Sequence, residues 1–134
     1  MILQPLVLAA TESTPHILFD PARNIFEIKG ESRPENAKAF YDPVIDWVKN
    51  FCSGVKDDKL HPAKLIFVIN FDYFSSSSAK YLMNIFARLE ELHKNKIQVE
   101  AKWYYNEVDI AMKESGEEFK KLLTLPFSFE LLRH

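Results

Sequence analysis

Apolar and polar residues follow two different spacings along this chain, and these spacings predict which segments are strands and which are helices. The first ten residues are mostly apolar and favour an opening β-strand. His16–Asp20 and residues 24–30 predict two further strands joined by a turn, because the proline and asparagine between them suit turn positions. Residues 63–71 are apolar at almost every position, which predicts a central strand covered on both faces.

Two stretches carry apolar side chains at helical spacing. The first helix is expected to start at residues 32–35 with Ser32 as its cap, and its apolar positions run from Ala37 to Cys52. Pro43 is expected to kink this helix or to restart it with Asp42 as the new cap. The second covers residues 75–95 and predicts the strongest helix of the chain, with a buried stripe of six side chains. These are Ser78, Leu82, Ile85, Phe86, Leu89 and Leu92.

The last third of the chain begins with strict alternation. Residues 97–105 predict a strand with Trp103 on its apolar face, in the core, and Tyr104 on the opposite face. Tyr104 is therefore the better candidate for a contact with another molecule. Residues 107–125 then predict a third helix, interrupted at Gly116, where one helical piece ends and the next begins.

Near the end of the chain, residues 126–129 predict a short strand or an extended tail. The order of elements is thus roughly β-β-β-α-β-α-β-α, and the central strand, the long helix and the next strand form a right-handed parallel crossover. This order predicts an α/β fold with one mixed β-sheet and about three to four helices. At 134 residues, a single domain spanning 1–134 is expected, without stabilising disulfides or metal.

Composition excludes several classes of protein. The hydrophobic fraction of 47% and charged fraction of 27% are typical of an ordinary globular chain. A formal net charge of −2, with no strongly basic segment, argues against a nucleic-acid partner. Cys52 is the one cysteine, which suits a reducing compartment. A signal peptide would require positive charge near its start, but no Lys or Arg precedes Arg23. We therefore expect a cytoplasmic protein that makes no use of a membrane.

The sequence offers no pattern typical of catalysis. The four histidines lie too far apart to suggest a metal site: His16, His61, His93 and His134. The three glycines form no phosphate-binding loop, so no nucleotide cofactor is expected. Cys52 sits within an apolar helical pattern and is expected to pack rather than react. No cofactor is predicted, and an enzyme is the least favoured class.

The serine run at 75–78 is the feature that points to function. It joins the central strand to the strongest predicted helix, and in open α/β sheets ligands and partners meet the carboxyl ends of strands. At least one of Ser75, Ser76 and Ser77 is expected to cap the helix. A phosphate in the first turn would also be tolerated, because free backbone N–H groups and the helix dipole favour negative charge there. Lys80, one turn further on, could pair with it.

At these residues the sequence resembles the SiaC-type bacterial regulatory phosphoproteins, whose fold is similar to STAS domains and anti-sigma-factor antagonists. The resemblance spans nearly the whole chain and rests on short pieces in a specific order. They are Thr14-Pro15, Gly30-Glu31-Ser32, Pro34-Glu35-Asn36, Phe40-Tyr41, Pro43, Trp47, Tyr73-Phe74, Ser77-Ser78, Lys80, Trp103-Tyr104-Tyr105, Gly116-Glu117, Phe119 and Pro126-Phe127.

The resemblance implies a partner-switching protein in cyclic-di-GMP signalling, and no enzyme. A cognate protein kinase would phosphorylate a hydroxyl in the strand-to-helix turn, a PP2C-type phosphatase would remove the phosphate, and the unmodified form would bind a diguanylate cyclase or another signalling target. The family usually reads Tyr-Phe-Asn-Thr-Ser-Ser at this turn, with threonine as acceptor. This chain has four serines there, and Ser76 takes the acceptor position, with Ser75 and Ser77 as secondary candidates.

The residues expected to contact a partner surround this turn, except for Tyr104 on the next strand. They are Tyr73, Phe74, Ser75, Ser77, Lys80 and Tyr104. A second hypothesis is a STAS-like domain that binds a protein or small ligand constitutively, without phosphorylation. The two hypotheses differ in whether Ser76→Ala and Ser76→Glu bind the same partner equally well.

Overall fold

Six strands form one sheet in which the order in space is the order in the chain, β1-β2-β3-β4-β5-β6. The computed structural model describes residues 3–132. The strands are β1 (Leu6–Leu8), β2 (His16–Asp20), β3 (Ile25–Ser32), β4 (Leu65–Phe74), β5 (Val99–Asn106) and β6 (Phe127–Leu132). β1, β2 and β3 pair antiparallel, whereas β3 to β6 are parallel throughout. The predicted α/β fold with a mixed sheet is confirmed, and Phe127–Leu132 form a strand paired with β5 rather than an extended tail.

Three helices pack on the same face of this sheet: α1 (Ala37–Lys56), α2 (Ser76–Lys94) and α3 (Ile110–Leu122). Each follows one parallel strand and leads to the next, as right-handed crossovers require. Among residues 3–132, no helix combines the length and the apolar character needed to cross a membrane.

Aromatic rings fill the space between the sheet and the helices. On β3 and β4, the rings of Phe26 and Phe67 stack with 4.7 Å between their centroids, and Phe51 of α1 lies 5.5 Å from Phe26. Towards β5 and β6, the ring of Trp103 is fully buried, as predicted, and its centroid lies 5.7 Å from that of Phe119 on α3. Burial of such large rings supplies much of the hydrophobic driving force for folding.

The opposite face of the sheet carries none of the three helices. On β4, Leu65, Phe67 and Ile69 are buried beneath them, whereas Ile66 and Val68 on the other face are only half-buried. The expectation that the central strand is covered on both faces is therefore wrong. The apolar run misled because β4 alternates in burial although its sequence does not alternate in polarity.

The start of α1 also differs from the expectation. Ser32 does not cap a helix: β3 extends to this residue, which pairs with Phe74 of β4 and is fully buried. The cap is Asn36, whose side-chain oxygen accepts the Ala39 N–H at 3.1 Å. Pro43 lies on the exposed side of one uninterrupted helix, so the predicted restart is wrong as well.

Gly116 lies inside α3 and does not divide it, contrary to the prediction. Its absent side chain has a packing reason. A Cβ at this position would lie 2.7 Å from Cδ1 of Trp103 and 2.8 Å from Cε1 of Phe129, closer than carbon atoms tolerate. Glycine therefore lets α3 approach β5 and β6 closely.

We expect Gly116→Ala to lower the free energy of unfolding by about 1–3 kcal/mol, because the gain in helix propensity is smaller than the cost of overpacking against Trp103. Urea denaturation followed by circular dichroism measures this change. Ser115→Ala in the same turn is the matched control, and a change within about 0.5 kcal/mol is expected there. Equal stability of Gly116→Ala and the wild type would contradict the close-packing explanation.

Candidate functional site

The serine run lies where β4 ends and α2 begins. β4 continues to Phe74, and the backbone N–H of Ser75 donates to the carbonyl oxygen of Ser32 at 2.8 Å. This bond joins the start of α2 to the carboxyl end of the neighbouring strand β3. Ligands and partners of open α/β sheets meet the sheet at this edge.

Ser75 is the N-cap of α2, which confirms that one of the three serines caps the helix. Its backbone is extended, with φ −78° and ψ 160°, and its Oγ accepts the N–H of Ser78 at 3.2 Å. The same Oγ lies 3.0 Å from Ser77 Oγ and 2.9 Å from Ser78 Oγ. The first turn of α2 contains no acidic residue, so no side-chain carboxylate there neutralises the positive end of the helix dipole.

A chain of hydroxyl groups runs from this cap into the core. Ser78 is fully buried, and its Oγ lies 2.8 Å from Ser32 Oγ and 3.1 Å from the Ser32 carbonyl oxygen. Ser32 Oγ lies 2.5 Å from the Tyr41 hydroxyl on α1. Burial raises the pKa of Tyr41 to about 12, so its hydroxyl keeps its proton and can donate.

One arrangement of protons satisfies every hydroxyl in this chain. Ser77 donates to Ser75, Ser75 donates to Ser78, and Ser78 donates to the carbonyl oxygen of Ser32. From the other end, Tyr41 donates to Ser32 Oγ, which donates to Ser78 Oγ. The cap of α2 is thus connected through buried polar groups to Tyr41 on α1. The bond between Ser32 and Ser78 joins residues 46 positions apart in the sequence.

Ser76 is the member of the run that stands outside this chain. Its side chain is exposed, and within residues 3–132 its hydroxyl makes no hydrogen bond. Ser77 is also exposed but is bonded to Ser75, Ser75 is half-buried, and Ser78 is fully buried. Ser76 can therefore be modified without breaking a hydrogen bond that holds α2 to the sheet.

Two cations lie close to the serine run. Lys80 is exposed one turn along α2, with its Nζ 5.2 Å from the centroid of the Tyr81 ring, which stacks on Tyr41 at 5.6 Å. Arg33 follows Ser32 directly, and its Nε donates to Glu31 Oε2 at 2.6 Å. Sequence reasoning missed Arg33, because the expected cap at Ser32 hid that β3 ends beside β4.

The remaining predicted contact residues are not all at this edge. Tyr73 is 50% exposed beside the serine run, as a contact residue would be. Phe74 is half-buried, and its ring packs against those of Phe71, Trp103 and Phe119, which is a core role. Tyr104 is half-buried on the sheet face that the helices leave open, on the other side of the sheet from α2.

We expect Tyr41→Phe to lower the free energy of unfolding by about 1–2 kcal/mol, because it removes the donor at the buried end of the hydroxyl chain. The neighbouring ring offers a matched control, since the Tyr81 hydroxyl takes no part in that chain: Tyr81→Phe is expected to change stability by less than about 0.5 kcal/mol. Thermal unfolding of the two variants compares them. A Tyr41→Phe protein as stable as the control would contradict the assigned hydrogen bonding.

A metal site, a reactive cysteine and a catalytic pocket each have structural requirements, and residues 3–132 meet none of the three. Residues 3–132 bring together no group of three side chains suited to a metal ion. Cys52 is buried, and burial raises the pKa of its thiol to about 11, which disfavours the reactive thiolate. A cavity of about 280 Å³ lies at the opposite end of the sheet, with Phe26, Phe51 and Leu60 in its wall. That wall is mostly apolar and holds no cluster of titratable groups.

Comparison with known proteins identifies, over almost the whole chain, the family that the sequence resembles. The profile of the family described as "SiaC family regulatory phosphoprotein" matches residues 8–132. An uncharacterized protein of Pseudomonas aeruginosa strain UCBPP-PA14 is 31% identical over 128 residues, which cover 96% of this chain and 97% of that protein.

Solved structures of similar proteins share the fold as well. The crystal structure of apo-SiaC from Pseudomonas aeruginosa superposes with a TM-score of 0.83 at 31% identity, covering 95% of this chain and 98% of that one. A second similar chain, with a TM-score of 0.84 and 30% identity over 95% of this chain and 99% of its own, comes from a crystal structure of the diguanylate cyclase SiaD in complex with its activator SiaC from the same organism.

Proposed function

Because this chain belongs to the SiaC family of regulatory phosphoproteins, we propose that it is a cytoplasmic binding protein without catalytic activity, switched by phosphorylation of Ser76. The observation that carries this proposal is the position of the Ser76 hydroxyl: exposed, in the first turn of α2, and outside the hydrogen bonds that hold the helix to the sheet. A kinase can reach such a hydroxyl without unfolding the helix.

The electrostatics of the helix start support a phosphate at this position. A phosphoryl group adds about −1.5 to −2 charges at neutral pH. The free N–H groups and dipole of the first turn of α2 favour that charge, and no carboxylate in this turn opposes it. Lys80 lies one turn further along the exposed surface. The fold would therefore tolerate the modification while the surface presented to a partner changes sharply.

Ser75 and Ser77 are weaker acceptor candidates for a structural reason. A phosphoryl group on Ser75 would occupy the oxygen that caps α2 and that is hydrogen-bonded to the Ser78 hydroxyl. On Ser77 it would replace the hydroxyl that is hydrogen-bonded to Ser75. Either modification has a cost in stability that modification of Ser76 avoids.

The proposed switch has two modifying partners, a cognate protein kinase and a PP2C-type phosphatase. Incubation of the purified chain with the kinase and labelled ATP is expected to introduce one phosphate, which the phosphatase then removes. The Ser76→Ala variant should stay unlabelled, whereas Ser75→Ala and Ser77→Ala should both be labelled. Labelling of Ser76→Ala at the wild-type level would place the acceptor elsewhere.

The proposed target of the unmodified form is a diguanylate cyclase, whose synthesis of cyclic-di-GMP it would promote. The similar SiaC chain in the complex with the cyclase SiaD supports this choice. We assign the contact surface to the exposed residues at the switch edge, Tyr73, Ser77 and Lys80, with half-buried Ser75 beside them. Phe74 supports this surface from beneath through its packing on Trp103. Unmodified chain that neither binds the cyclase nor raises its activity would contradict the choice of target.

A further inference from the structure

The sheet face opposite the helices is left open over four parallel strands. Parallel sheets are normally covered on both faces, because their strands are rich in apolar residues. Here β3 to β6 are parallel, and all three helices of the described residues lie on one side. We propose that a second copy of this chain covers the open face, packing sheet against sheet about a two-fold axis that runs along β4.

The open face carries charged residues of both signs on each side of β4, and in the row through the apolar Val68 the two flanking charges are opposite in sign. One row across the strands reads Leu18, Glu27, Val68, Lys102 and Ser128, from β2 to β6. Glu27 is thus one strand to the left of Val68, and Lys102 is one strand to the right. The carboxylate of Glu27 already accepts a hydrogen bond from His16 Nε2 at 3.0 Å and lies 3.4 Å from Lys29 Nζ, whereas Lys102 makes no ion pair with any residue in 3–132.

A two-fold axis along β4 turns this pattern into a complementary one. It sets each strand to the left of β4 against the strand equally far to the right in the second copy. Val68 then meets Val68, and Ile66 meets Ile66, at the centre of the contact. Glu27 of each copy meets Lys102 of the other, so the half-buried Lys102 gains a carboxylate partner.

The next row agrees with the same axis. It carries His16 on β2, Lys29 on β3, Asn70 on β4, Tyr104 on β5 and Glu130 on β6, so that Asn70 of each copy meets Asn70 of the other. The axis sets His16 against the half-buried Glu130, which forms no ion pair within residues 3–132, and sets Lys29, whose Nζ lies 3.4 Å from Glu27 Oε2, against the ring of Tyr104. The row through Ile66 matches less well, because Ile25 there meets Glu100 of the other copy.

Other two-fold arrangements place like charges together. An axis along β3 sets Glu27 against Glu27 of the second copy. An axis across the strands through the row of Val68 also sets Glu27 against itself, and Lys102 against Lys102. Like charges directly opposed at an interface are unfavourable. In the rows through Val68 and Asn70 the charge pattern therefore favours β4 as the axis, although this axis also brings the exposed Asp72 of the two copies together at the carboxyl end of the contact.

The size of the contact predicts a weak dimer. Five overlapping strands about 4.8 Å apart, each about six residues long at about 3.3 Å per residue, give a flat footprint of roughly 480 Å² per copy. Specific interfaces bury about 1,200 Å² or more of accessible surface, summed over both partners. The accessible surface of a pleated sheet is larger than its flat footprint, so the contact buries more than the two flat footprints together. The contact lies near this lower limit, so dimer formation should depend on protein concentration.

The axis also has a consequence for the serine run. Because it is parallel to the strands, the carboxyl ends of β4 in both copies lie at the same end of the dimer. Both copies of Ser76 are therefore presented on one side, where a partner with two binding sites can engage them together. The dimer itself does not depend on the proposed phosphorylation.

Sedimentation velocity on two charge-reversal variants tests the proposal. The wild type is expected to show a concentration-dependent monomer–dimer equilibrium. Lys102→Glu sets carboxylates against Glu27 at two symmetric places, and we expect its dissociation constant to rise on the order of a hundredfold. Glu27→Lys sets ammonium groups against Lys102 and should behave in the same way. An equimolar mixture of the two variants should dimerise again, because both cross-contacts then pair opposite charges.

The matched control is Lys49→Glu, the same charge change at an exposed position on α1, which should dimerise like the wild type. Circular dichroism confirms that each variant is folded. A wild type that stays monomeric up to about 1 mM would overturn the proposal and assign the open face to another occupant. A wild-type dimer that Lys102→Glu leaves intact, or variants that fail to dimerise when mixed, would overturn the assigned face and axis.

Discussion

Replacement of Ser76 by glutamate is expected to weaken binding of the proposed cyclase target on the order of a hundredfold, whereas Ser76→Ala should bind within about threefold of the wild type. The reason is the exposed position of Ser76 at the start of α2. A carboxylate there must be desolvated when a partner covers the edge of the sheet, while a methyl group adds no charge. Isothermal titration calorimetry with the purified cyclase measures the three affinities.

The matched control is Ser53→Glu, which introduces the same charge at an exposed serine near the other end of α1. This variant should bind like the wild type, because Ser53 is near the C-terminal end of α1, whereas the N-terminal end of α1 is the one next to the serine run. If Ser76→Ala and Ser76→Glu bind equally tightly, the chain is a constitutive binding domain and the switch hypothesis is wrong.

Truncation of Trp103 is expected to have the largest effect on stability. Its ring is fully buried, its Nε1 donates to the Met112 carbonyl oxygen at 2.9 Å, and it packs against Phe74 and Phe119. Trp103→Ala leaves a cavity between β5 and α3 and an unpaired carbonyl group, and should lower the free energy of unfolding by about 3–5 kcal/mol. Since small domains are stable by only about 5–15 kcal/mol, this variant should be close to unfolding.

Urea denaturation compares this variant with Tyr104→Ala, the adjacent residue on the open face of the sheet. Tyr104 is half-buried, so its loss should cost about 1 kcal/mol in dilute, monomeric protein. Similar losses for the two variants would contradict the assignment of one face to the core and the other to the exterior.

The alternation of apolar and polar residues predicted which side chains of β5 face the core, but it did not do so on β4. The strict alternation around Trp103 predicted correctly which residues of β5 face the core, because each polar residue there marks the open face. It failed on β4, where Ile66 and Val68 are as apolar as their buried neighbours. The number of layers that cover a sheet depends on the whole fold, and a local run of apolar residues cannot report it.

The predictions for Gly116 and Ser32 were wrong because both residues are placed by contacts with residues distant in the sequence. Gly116 looked like a helix break, yet its role is to let a helix approach Trp103 and Phe129, which are distant in sequence. Ser32 looked like a cap, yet it pairs with β4 and bonds to Ser78 and Tyr41. Local chemistry assigns such residues to turns and caps, whereas long-range packing decides their actual place.

The candidate site was predictable in position but not in its internal connections. The serine run at a strand-to-helix turn, and Ser76 as the preferred hydroxyl, followed from the sequence and from the family resemblance. The reason to prefer Ser76 over Ser75 and Ser77 required the hydrogen bonds that hold these two, and Ser78 behind them, in place. The neighbouring Arg33 emerged only when β3 and β4 were seen to end side by side.

Site-resolved mass spectrometry of the protein isolated from its native cells tests the central claim most directly. The peptide that contains residues 75–78 should be found with one phosphate, with fragment ions that place it on Ser76, and its phosphorylated fraction should change with growth conditions. A peptide that is abundant and unmodified under all conditions, or that carries its phosphate on Ser75 or Ser77, would contradict the account.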